Sequence, residues 1–534
     1  LITYIKNITY TSNMADFETY NHTMMGTGAP PAEAPFLKKD LIYITDEGSG
    51  SGNYSRNEIV FDTQNVSNSG KWCDFKEAVI SIPVVVAVSR RKTSDGTEHD
   101  AGLLSAEQMV RSLRLKSGAS MIDSVTVEYN NSTVVQQRKN ISAYSSFKQH
   151  SEYSLNDVKI NGTSNGYYTP SNVWFFDSDR GLISQDAFST NSDDLYPILA
   201  DYAQRSSVLS AGNLKESGTD RQTNEFKDHV YYFDNRIRLK DLIMFDQLPL
   251  LKGSKVKITL TLNQCVSKFD LDVDGQISAS SVVLSGSSCP FLRAPMIGKT
   301  VSAGDKMTET IVCGVATATV NNHTHTHEKK QCRLYIPTYV VEAKHEERMI
   351  MGEKLVTYSD VFVTKLSNLP TGGFQSTITN SISRASRLII VPMLTGDANG
   401  SDKISPSASC FTNEPASCSP HYIKDLNVSL SGTNLYQQSV KYKYEHFVNE
   451  LQGKFGEMAG MHTGVSSGLI SLKDYENTLG YIVVNLSRRH KYDDHTSVSL
   501  EIQGSISSPL NLDLLCFVEF DRDMTIEMAS GELK

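Results

Sequence analysis

Two motifs that would indicate hydrolytic or nucleotide-dependent chemistry are missing from this chain. Its 534 residues contain neither the His-Glu-x-x-His of zinc proteases nor the Gly-x-x-x-x-Gly-Lys-Ser/Thr loop of phosphate-binding proteins. Acidic residues are plentiful, but a sequence does not show whether two carboxyl groups face each other across a cleft. We therefore predict a protein without enzymatic activity and without a small-molecule substrate.

An excess of positive charge and long apolar runs are also missing. The formal net charge is −9 and the isoelectric point is near 5.8, so direct, sequence-specific binding to nucleic acid is not expected. No stretch approaches the roughly 20 apolar residues of a membrane-spanning helix. The first residues lack the basic and long apolar parts of a signal peptide, and Met14 resembles a natural start, so residues 1–13 are interpreted as upstream read-through.

The eight cysteines include no Cys-x-x-Cys pair. Cys516 lies within an alternating apolar stretch and is interpreted as a small core residue. Cys410 and Cys418 are near enough in sequence to bridge a loop, but free thiols are favoured at both positions. This pattern favours a reduced, intracellular protein.

One stretch occurs twice, and the rest of the chain is arranged around its two copies. Residues 125–137, VTVEYNNSTVVQQ, return in altered form at residues 426–438 as LNVSLSGTNLYQQ. Each copy contains an alternating strand, a turn and a Gln-Gln pair, and each leads into a segment with helical periodicity. The agreement in type, order and register indicates an internal duplication, and hence two domains of one architecture.

Most of the other periodic segments are typical of strands. In residues 255–263, KVKITLTLN, apolar side chains alternate with Lys and Thr, as in a strand with one buried face. Residues 78–88 are apolar on both faces, as in a strand between two layers, although Pro83 favours an edge or a bulge there. Many short strands, long loops and a few short helices predict an all-β fold of two β-sandwiches in series.

Changes in composition divide the chain into four parts. Residues 1–35 are polar, contain several prolines near their end and are predicted to form a flexible arm. The first β-domain is predicted at residues 36–265, with a long Asn/Ser-rich loop insertion at about residues 150–235. A Ser/Thr/Gly-rich linker is predicted at residues 266–330, and the second β-domain at residues 331–534.

A candidate calcium site lies where the first domain ends. Asp270, Asp272 and Asp274 alternate before Gly275, and carboxylates at this spacing can converge on one hard cation. The twelfth position of such a loop is normally a bidentate Glu, but here it is Ser281, and a strand rather than a helix precedes the loop. An acidic turn without metal is the alternative, and it is favoured.

A second candidate metal site is a run of three histidines. His323, His325 and His327 alternate, which would place three imidazoles on one face of a strand. No fourth ligand is fixed by the sequence nearby, so a polar loop is the favoured interpretation.

Five stretches of the sequence have the order and the spacing that are found in a known protein family. They are Lys71-Trp72 to Ile82-Pro83, Leu239-Lys240-Asp241-Leu242 to Leu262-Asn263, residues 426–438, Gly468-Leu469-Ile470 to Leu486-Ser487-Arg488, and Phe520 to Gly531. In them the chain resembles the major capsid proteins of Polinton-like viruses and virophages, which belong to the double jelly-roll lineage that includes adenovirus hexon. The resemblance covers about residues 38–530, but the stretches 150–235 and 266–330 contain no motif that matches it.

The resemblance implies both a fold and a function. It implies two tandem, upright, eight-stranded jelly rolls, and a homotrimer whose six jelly rolls have a pseudo-hexagonal outline. Such trimers would tile an icosahedral virion shell around a double-stranded DNA genome, assembled inside the host cell with penton and minor capsid proteins. The arm at residues 1–35 would then tie neighbouring capsomers together beneath the shell.

A binding protein of another class is the alternative. A tandem β-sandwich lectin or adhesin would share the duplicated motif and would place calcium at Asp270, Asp272 and Asp274. The absence of a signal peptide and of a disulfide framework disfavours it. Since a fold alone does not settle function, only the family resemblance favours the capsid interpretation.

Overall fold

The computed structural model describes most of the chain from residue 36 onward. The described residues are 36–47, 54, 56–94, 97–100, 113–130, 133–154, 214–217, 228–242, 245, 247–271, 277–293, 306–320, 322–394, 407–408, 410, 422–458, 468–472, 475, 479–486, 497–508 and 511–533. The predicted arm at residues 1–35 and much of the predicted loop insertion at residues 150–235 lie outside them.

Strands dominate the part of the chain up to residue 341. They are β1 Phe36–Thr45, β2 Glu58–Asp62, β3 Trp72–Cys73, β4 Val79–Ser94, β5 Thr97–Asp100, β6 Leu113–Leu115, β7 Ile122–Tyr129, β8 Thr133–Arg138, β9 Leu214–Ser217, β10 Asp228–Arg238, β11 Val256–Leu262, β12 Cys265–Leu271, β13 Ile277–Leu284, β14 Phe291–Arg293, β15 Lys306–Val315, β16 Thr317–Val320, β17 His323–Thr326 and β18 Arg333–Val341. Three helices accompany them, namely α1 Gln64–Ser67, α2 Ile141–Glu152 and α3 Leu239–Leu242.

Strands also dominate the rest of the chain, which contains fewer of them among its described residues. Its strands are β19 Glu353–Leu369, β20 Gly372–Ile382, β21 Ala385–Leu394, β22 Ile423–Leu430, β23 Thr433–Asn434, β24 Ile482–Asn485, β25 Val498–Ile506 and β26 Leu512–Glu527. Helix α4, Ala343–Ile350, connects the two parts, and α5, Tyr444–Met458, follows β23.

Two sheets form the first sandwich. One has the strand order β2-β11-β7-β8, and the larger one contains the order β1-β18-β4, with β10 on the other edge of β4. The alternation in β11 behaves as the sequence predicts, because Val256, Ile258, Leu260 and Leu262 are at most 1% exposed and the residues between them are half-buried. These eight strands constitute the first jelly roll.

The second sandwich has the same strand order. Its two sheets are β19-β26-β21-β24 and β20-β25-β22-β23, which correspond to β1-β18-β4-β10 and β2-β11-β7-β8. Both copies of the duplicated stretch form the last two strands of a four-stranded sheet, and each is followed by a helix, α2 or α5. The prediction of an all-β fold with two units of one architecture is confirmed.

The region predicted as a linker, residues 266–330, is instead part of the first sandwich. Strands β12, β13 and β15 extend the larger sheet, because β15 pairs with β4 from Lys306↔Thr93 to Val315↔Val84. The hairpin β16–β17 then lies on the outer face of this sheet, where Ala318 and Val320 pack against Val85.

The predicted start of the second domain at residue 331 is also wrong. Strand β18 lies between β1 and β4 and pairs with β1 from Phe36↔Val341 to Thr45↔Arg333. Periodicity identifies β18 as a strand but does not show which strand is its partner, and here the partner lies about 300 residues earlier. The first jelly roll therefore extends to Val341.

Pro83 lies inside a sheet rather than at the edge that the sequence favoured. Strand β4 is paired with β10 on one side and, on the other, with β18 up to Ser81 and with β15 from Val84 onward. Pro83 falls between these two partners, and its carbonyl accepts a hydrogen bond of 2.8 Å from the Ala316 amide on that side. The missing amide hydrogen of proline thus falls where one partner strand ends and the next begins, so no ladder hydrogen bond is lost.

Candidate assembly surfaces

Helix α2 follows the first copy of the duplicated stretch but packs on the second sandwich. Tyr144 and Phe147 belong to the hydrophobic core of that sandwich, and the Phe147 ring lies 5.0 Å from the Tyr481 ring, edge to face. Conversely, Met524 and Ile526 at the end of β26 pack in the core of the first sandwich. Because each core contains side chains from the other half, the two sandwiches are held in one fixed arrangement.

A buried ion pair lies where α2 meets the second sandwich. The Arg387 guanidinium donates two hydrogen bonds of 2.8 Å to the Glu519 carboxylate, and both side chains are 2% exposed. The Tyr144 hydroxyl donates a third, of 2.6 Å, to the same carboxylate. Burial and the adjacent Glu519 charge raise the pKa of Tyr144 well above its usual value. Burial alone would lower the pKa of Arg387, but the carboxylate outweighs it and raises that pKa.

A second polar contact across the same junction involves the first Gln-Gln pair. Gln136 Nε2 donates a hydrogen bond of 2.9 Å to Asp360 Oδ1 on β19. Arg138 Nη2 donates one of 2.8 Å to the Ser359 carbonyl, and Arg522 binds the other Asp360 oxygen at 3.1 Å. Gln136 is buried by this contact, whereas Gln437 and Gln438 of the second copy are exposed.

The outward face of β1 is apolar and uncovered. Leu37 and Leu41 are each 66% exposed and Tyr43 is 55% exposed, although these three large side chains lie on one strand. Arg333 of the neighbouring β18 lies over the Tyr43 ring at 5.0 Å. Strand β1 is also the end of its sheet, so among the described residues one backbone edge has no partner strand. An exposed apolar patch on a ten-residue edge strand is typical of an interaction surface.

The covered and uncovered faces occupy equivalent positions in the two sandwiches. In the second sandwich, α2 covers the face of β26 and β21 that carries Phe517, Glu519 and Arg387. Strands β18 and β4 are the counterparts of β26 and β21 in the first sandwich, and β1 is the counterpart of β19. The face that α2 covers in one unit is therefore exposed at β1 in the other, where the hairpin β16–β17 covers only the part formed by β4 and its neighbours.

Helices α2 and α5 also differ in how much of their surface is buried. In α2, every residue from Ile141 to Phe147 is buried. In the described side chains of α5, Phe447, Val448 and Leu451 are buried, but Glu445 and Asn449 are exposed. Helix α5 thus has one face on its own sandwich and one face that no other described residue covers.

The candidate calcium site is described only in part. Asp270 lies on β12, where it pairs with Ser278 on one side and Thr308 on the other. Asp272 and Asp274 lie outside the described residues. Strands β12 and β13, which precede and follow these residues, pair in one sheet, and calcium binding between them stays a prediction.

The three histidines lie on the hairpin β16–β17 and the residue after it. His323 is exposed, whereas His325 and His327 are 7% and 8% exposed, and the His327 ring lies 6.1 Å from that of Tyr232. Burial lowers the pKa of His327, although Asp234, with Oδ1 4.0 Å from its ring nitrogen, acts in the opposite direction. Among the described residues, no group of three or more His, Cys, Asp or Glu side chains is arranged to hold a metal ion.

The fold described above, two tandem jelly rolls, is the double jelly roll of icosahedral capsid proteins. A chain in the cryo-EM structure of the Sputnik virophage superposes with a TM-score of 0.52 at 13% identity, over 95% of this chain and 90% of that one. The crystal structure of PBCV-1 VP54, fitted into a cryo-EM reconstruction of the Sputnik virophage, matches over 94% of this chain and 98% of its own, at 10% identity and a TM-score of 0.39. The likeness to the Sputnik chain confirms the fold that the resemblance implied.

No family model and no curated protein matches the sequence. In the part of the chain that the structure describes, no helix has both the length and the apolarity needed to cross a membrane.

Proposed function

We propose that this chain is a structural capsid protein, and that three copies of it form a ring of six jelly rolls. Such trimers would tile an icosahedral shell around a double-stranded DNA genome, together with penton and minor capsid proteins. The observation that carries this proposal is the tandem arrangement itself, in which α2 covers the outer face of one sandwich, whereas the equivalent face of the other is exposed at β1. The full-length likeness in fold to a virophage protein supports it.

The pairing between copies follows from the pairing within one copy. Inside the chain, α2 of the first unit covers the outer face of the second. In a trimer, α5 of one copy would cover the β1–β18 face of the next, which is the equivalent contact. Such an interface joins two different surfaces, and contacts of this kind close into rings when the rotation between neighbours fits. Three contacts within chains and three between them would then alternate around the ring.

The composition of the open face suits an obligate contact. Leu41, Tyr43 and the half-buried Tyr335 supply an apolar and aromatic centre, and Arg333 and Lys39 lie at its border. Aromatic residues and Arg are enriched in the centres of protein interfaces, and homo-oligomeric contacts are more apolar than other surfaces. The net charge of −9 suits a shell that meets its genome indirectly.

The test is the native mass of the purified protein by light scattering, followed by negative-stain imaging of the same peak. We expect about three times the chain mass of 59.1 kDa and particles with a roughly hexagonal outline. A stable monomer at micromolar concentration would contradict the trimer and with it the capsid function.

A pair of variants locates the interface. The double variant Leu41→Glu, Tyr43→Glu is expected to lower the mass to one chain, because two charges would enter an apolar contact. Both side chains face solvent in the single chain, so its fold should be retained, which circular dichroism checks. The matched control is Leu355→Glu on β19, which is 69% exposed and lies outside the proposed contact, and it should remain trimeric. A trimeric double variant would place the interface elsewhere.

A further inference from the structure

Four cysteines lie in the core of the first sandwich, and the proposed capsid function involves none of them. They are Cys265, Cys289, Cys313 and Cys410, and all four are buried. The first three belong to the first unit, and Cys410 belongs to the second. Cys265 opens β12 and pairs across the ladder with Cys313 on β15. Cys410 is close enough to affect the charge state of Cys265.

One pair within this cluster has its sulfurs in contact. The Sγ atoms of Cys265 and Cys289 are 3.8 Å apart. The Cys313 thiol is turned toward the Met121 sulfur, at 3.7 Å. A disulfide bond is about 2.05 Å long, so the two sulfurs would have to approach each other by less than about 2 Å for a bridge to form.

From this geometry we propose that Cys265 and Cys289 are a disulfide-forming pair, reduced where the protein is made and bridged in an oxidising medium. The bridge would tie the start of β12 to the bend that follows β13. It would close a loop of about 24 residues, which is long enough for a clear loss of unfolded-state entropy. The inference does not depend on the capsid function.

The local charges favour Cys289 as the thiol that reacts first. Burial opposes its ionisation, but the hydrogen bond to Cys265 and the nearby Lys116 ammonium outweigh burial and lower the pKa of Cys289. Burial, followed by the contact with Cys289, raises the pKa of Cys265. Lys116 is itself 2% exposed and donates to the Ser407 carbonyl at 3.4 Å, so its charge is fixed beside the pair.

The reaction is an ordinary thiol–disulfide exchange with a small disulfide of the glutathione class. The Cys289 thiolate attacks one sulfur of that disulfide and releases the first small thiol. Cys265 then loses its proton and attacks the Cys289 sulfur, which releases the second small thiol and forms the protein disulfide. Two protein thiols are oxidised by two electrons, and one small disulfide is reduced to two thiols. Since both sulfurs are buried, the rate should follow the opening of residues 285–290.

The test uses the full chain, purified with reductant and then held in a buffer of glutathione and glutathione disulfide. Free thiols are blocked with N-ethylmaleimide, and the digest is examined by mass spectrometry. We expect the number of free thiols to fall from eight to six and a single bridged peptide to join Cys265 to Cys289. Oxidation should raise Tm by several degrees, since the bridge constrains the unfolded chain.

Two variants separate this pair from its neighbours. Cys289→Ser should keep all of its remaining thiols and show no rise in Tm on oxidation. Cys313→Ser, the matched control, removes an equally buried thiol beside Cys265 and should still lose two thiols. A bridge to Cys313 or Cys410, or the absence of a bridge in the wild-type digest, would overturn the proposal. The wild-type digest decides even if Cys289→Ser fails to fold.

Discussion

Glu519 lies at the junction of the two sandwiches and binds one residue from each half of the chain. Its carboxylate accepts hydrogen bonds from Arg387 and Tyr144, and it is 2% exposed. Glu519→Gln keeps the volume of the side chain but leaves the Arg387 charge buried with weaker partners. We expect the free energy of unfolding to fall by about 3–5 kcal/mol, measured by urea denaturation.

Tyr144→Phe is the control for this substitution. It removes the hydroxyl that donates to Glu519 but leaves the two hydrogen bonds from Arg387 in place. The loss should be about 1.5–3 kcal/mol, as is typical of a hydrogen bond to a charged group. If both variants lose the same amount, the ion pair is not the dominant contribution and the hydrogen bond from the Tyr144 hydroxyl explains the effect.

The docking of the segment 468–472 on the end of α2 depends on one glycine. Gly468 has φ +64, and the Leu469 amide donates a hydrogen bond of 2.8 Å to the His150 carbonyl. A Cβ at this position would clash with the carbonyl oxygens of His150 and Ser151. Gly468→Ala should therefore lose about 1–2 kcal/mol from its left-handed backbone and about 1–3 kcal/mol more from the clash, measured by chemical denaturation.

Gly352→Ala separates these two contributions. Gly352 also has a positive φ, of +87, but a Cβ there would meet nothing within 4 Å. The Gly352→Ala variant should therefore lose only the stability that comes from its left-handed backbone, about 1–2 kcal/mol. Equal losses in the two variants would show that the contact between the segment 468–472 and α2 has little effect on stability.

At the level of strands and helices, the sequence predicts local patterns well and distant partners poorly. The alternation in β11 and the duplicated hairpins β7–β8 and β22–β23 follow from side-chain periodicity alone, and they lie where the periodicity predicts. The apolar alternation around Cys516 predicts that β26 buries one face, but Leu515 and Phe517 on its other face are also buried, because α2 packs there. No local signal in β26 indicates a helix supplied from more than 350 residues earlier.

The sequence contains a weak indication of the candidate assembly surface. Leu41, Ile42, Tyr43 and Ile44 are consecutive apolar residues on an edge strand, so one face of β1 has apolar side chains that its own sandwich does not bury. A run of consecutive apolar residues also occurs in β4, where it belongs to a strand that is covered on both faces. Only the strand order separates the two cases, since β4 is central and β1 is terminal.

For the whole molecule, we expect a single cooperative unfolding transition rather than one for each sandwich. Tyr144 and Phe147 complete the second core, and Met524 and Ile526 complete the first, so neither core persists when the other half unfolds. Differential scanning calorimetry of the reduced chain should show one peak whose calorimetric and van't Hoff enthalpies agree. Two resolved peaks would mean that the junction is too weak to couple the halves.

A truncated chain is the control for this coupling. Residues 36–341 contain all eight strands of the first jelly roll, but they leave Tyr144 and Phe147 of α2 without the core they pack in. We expect this fragment to aggregate or to melt well below the full chain. A fragment as stable as the intact protein would contradict the coupling.

The pairing of β1 with β18 has a consequence for biosynthesis. Phe36 emerges from the ribosome about 300 residues before its partner Val341, so β1 has no partner strand, and the edge of β4 that pairs with β18 stays open, until β18 has been made. The second sandwich then closes only when β26 has paired with β19, and Met528, just beyond β26, is a core residue of the first sandwich. The nascent chain thus keeps apolar surface exposed until Met528 has emerged, and we expect it to depend on chaperones during that time.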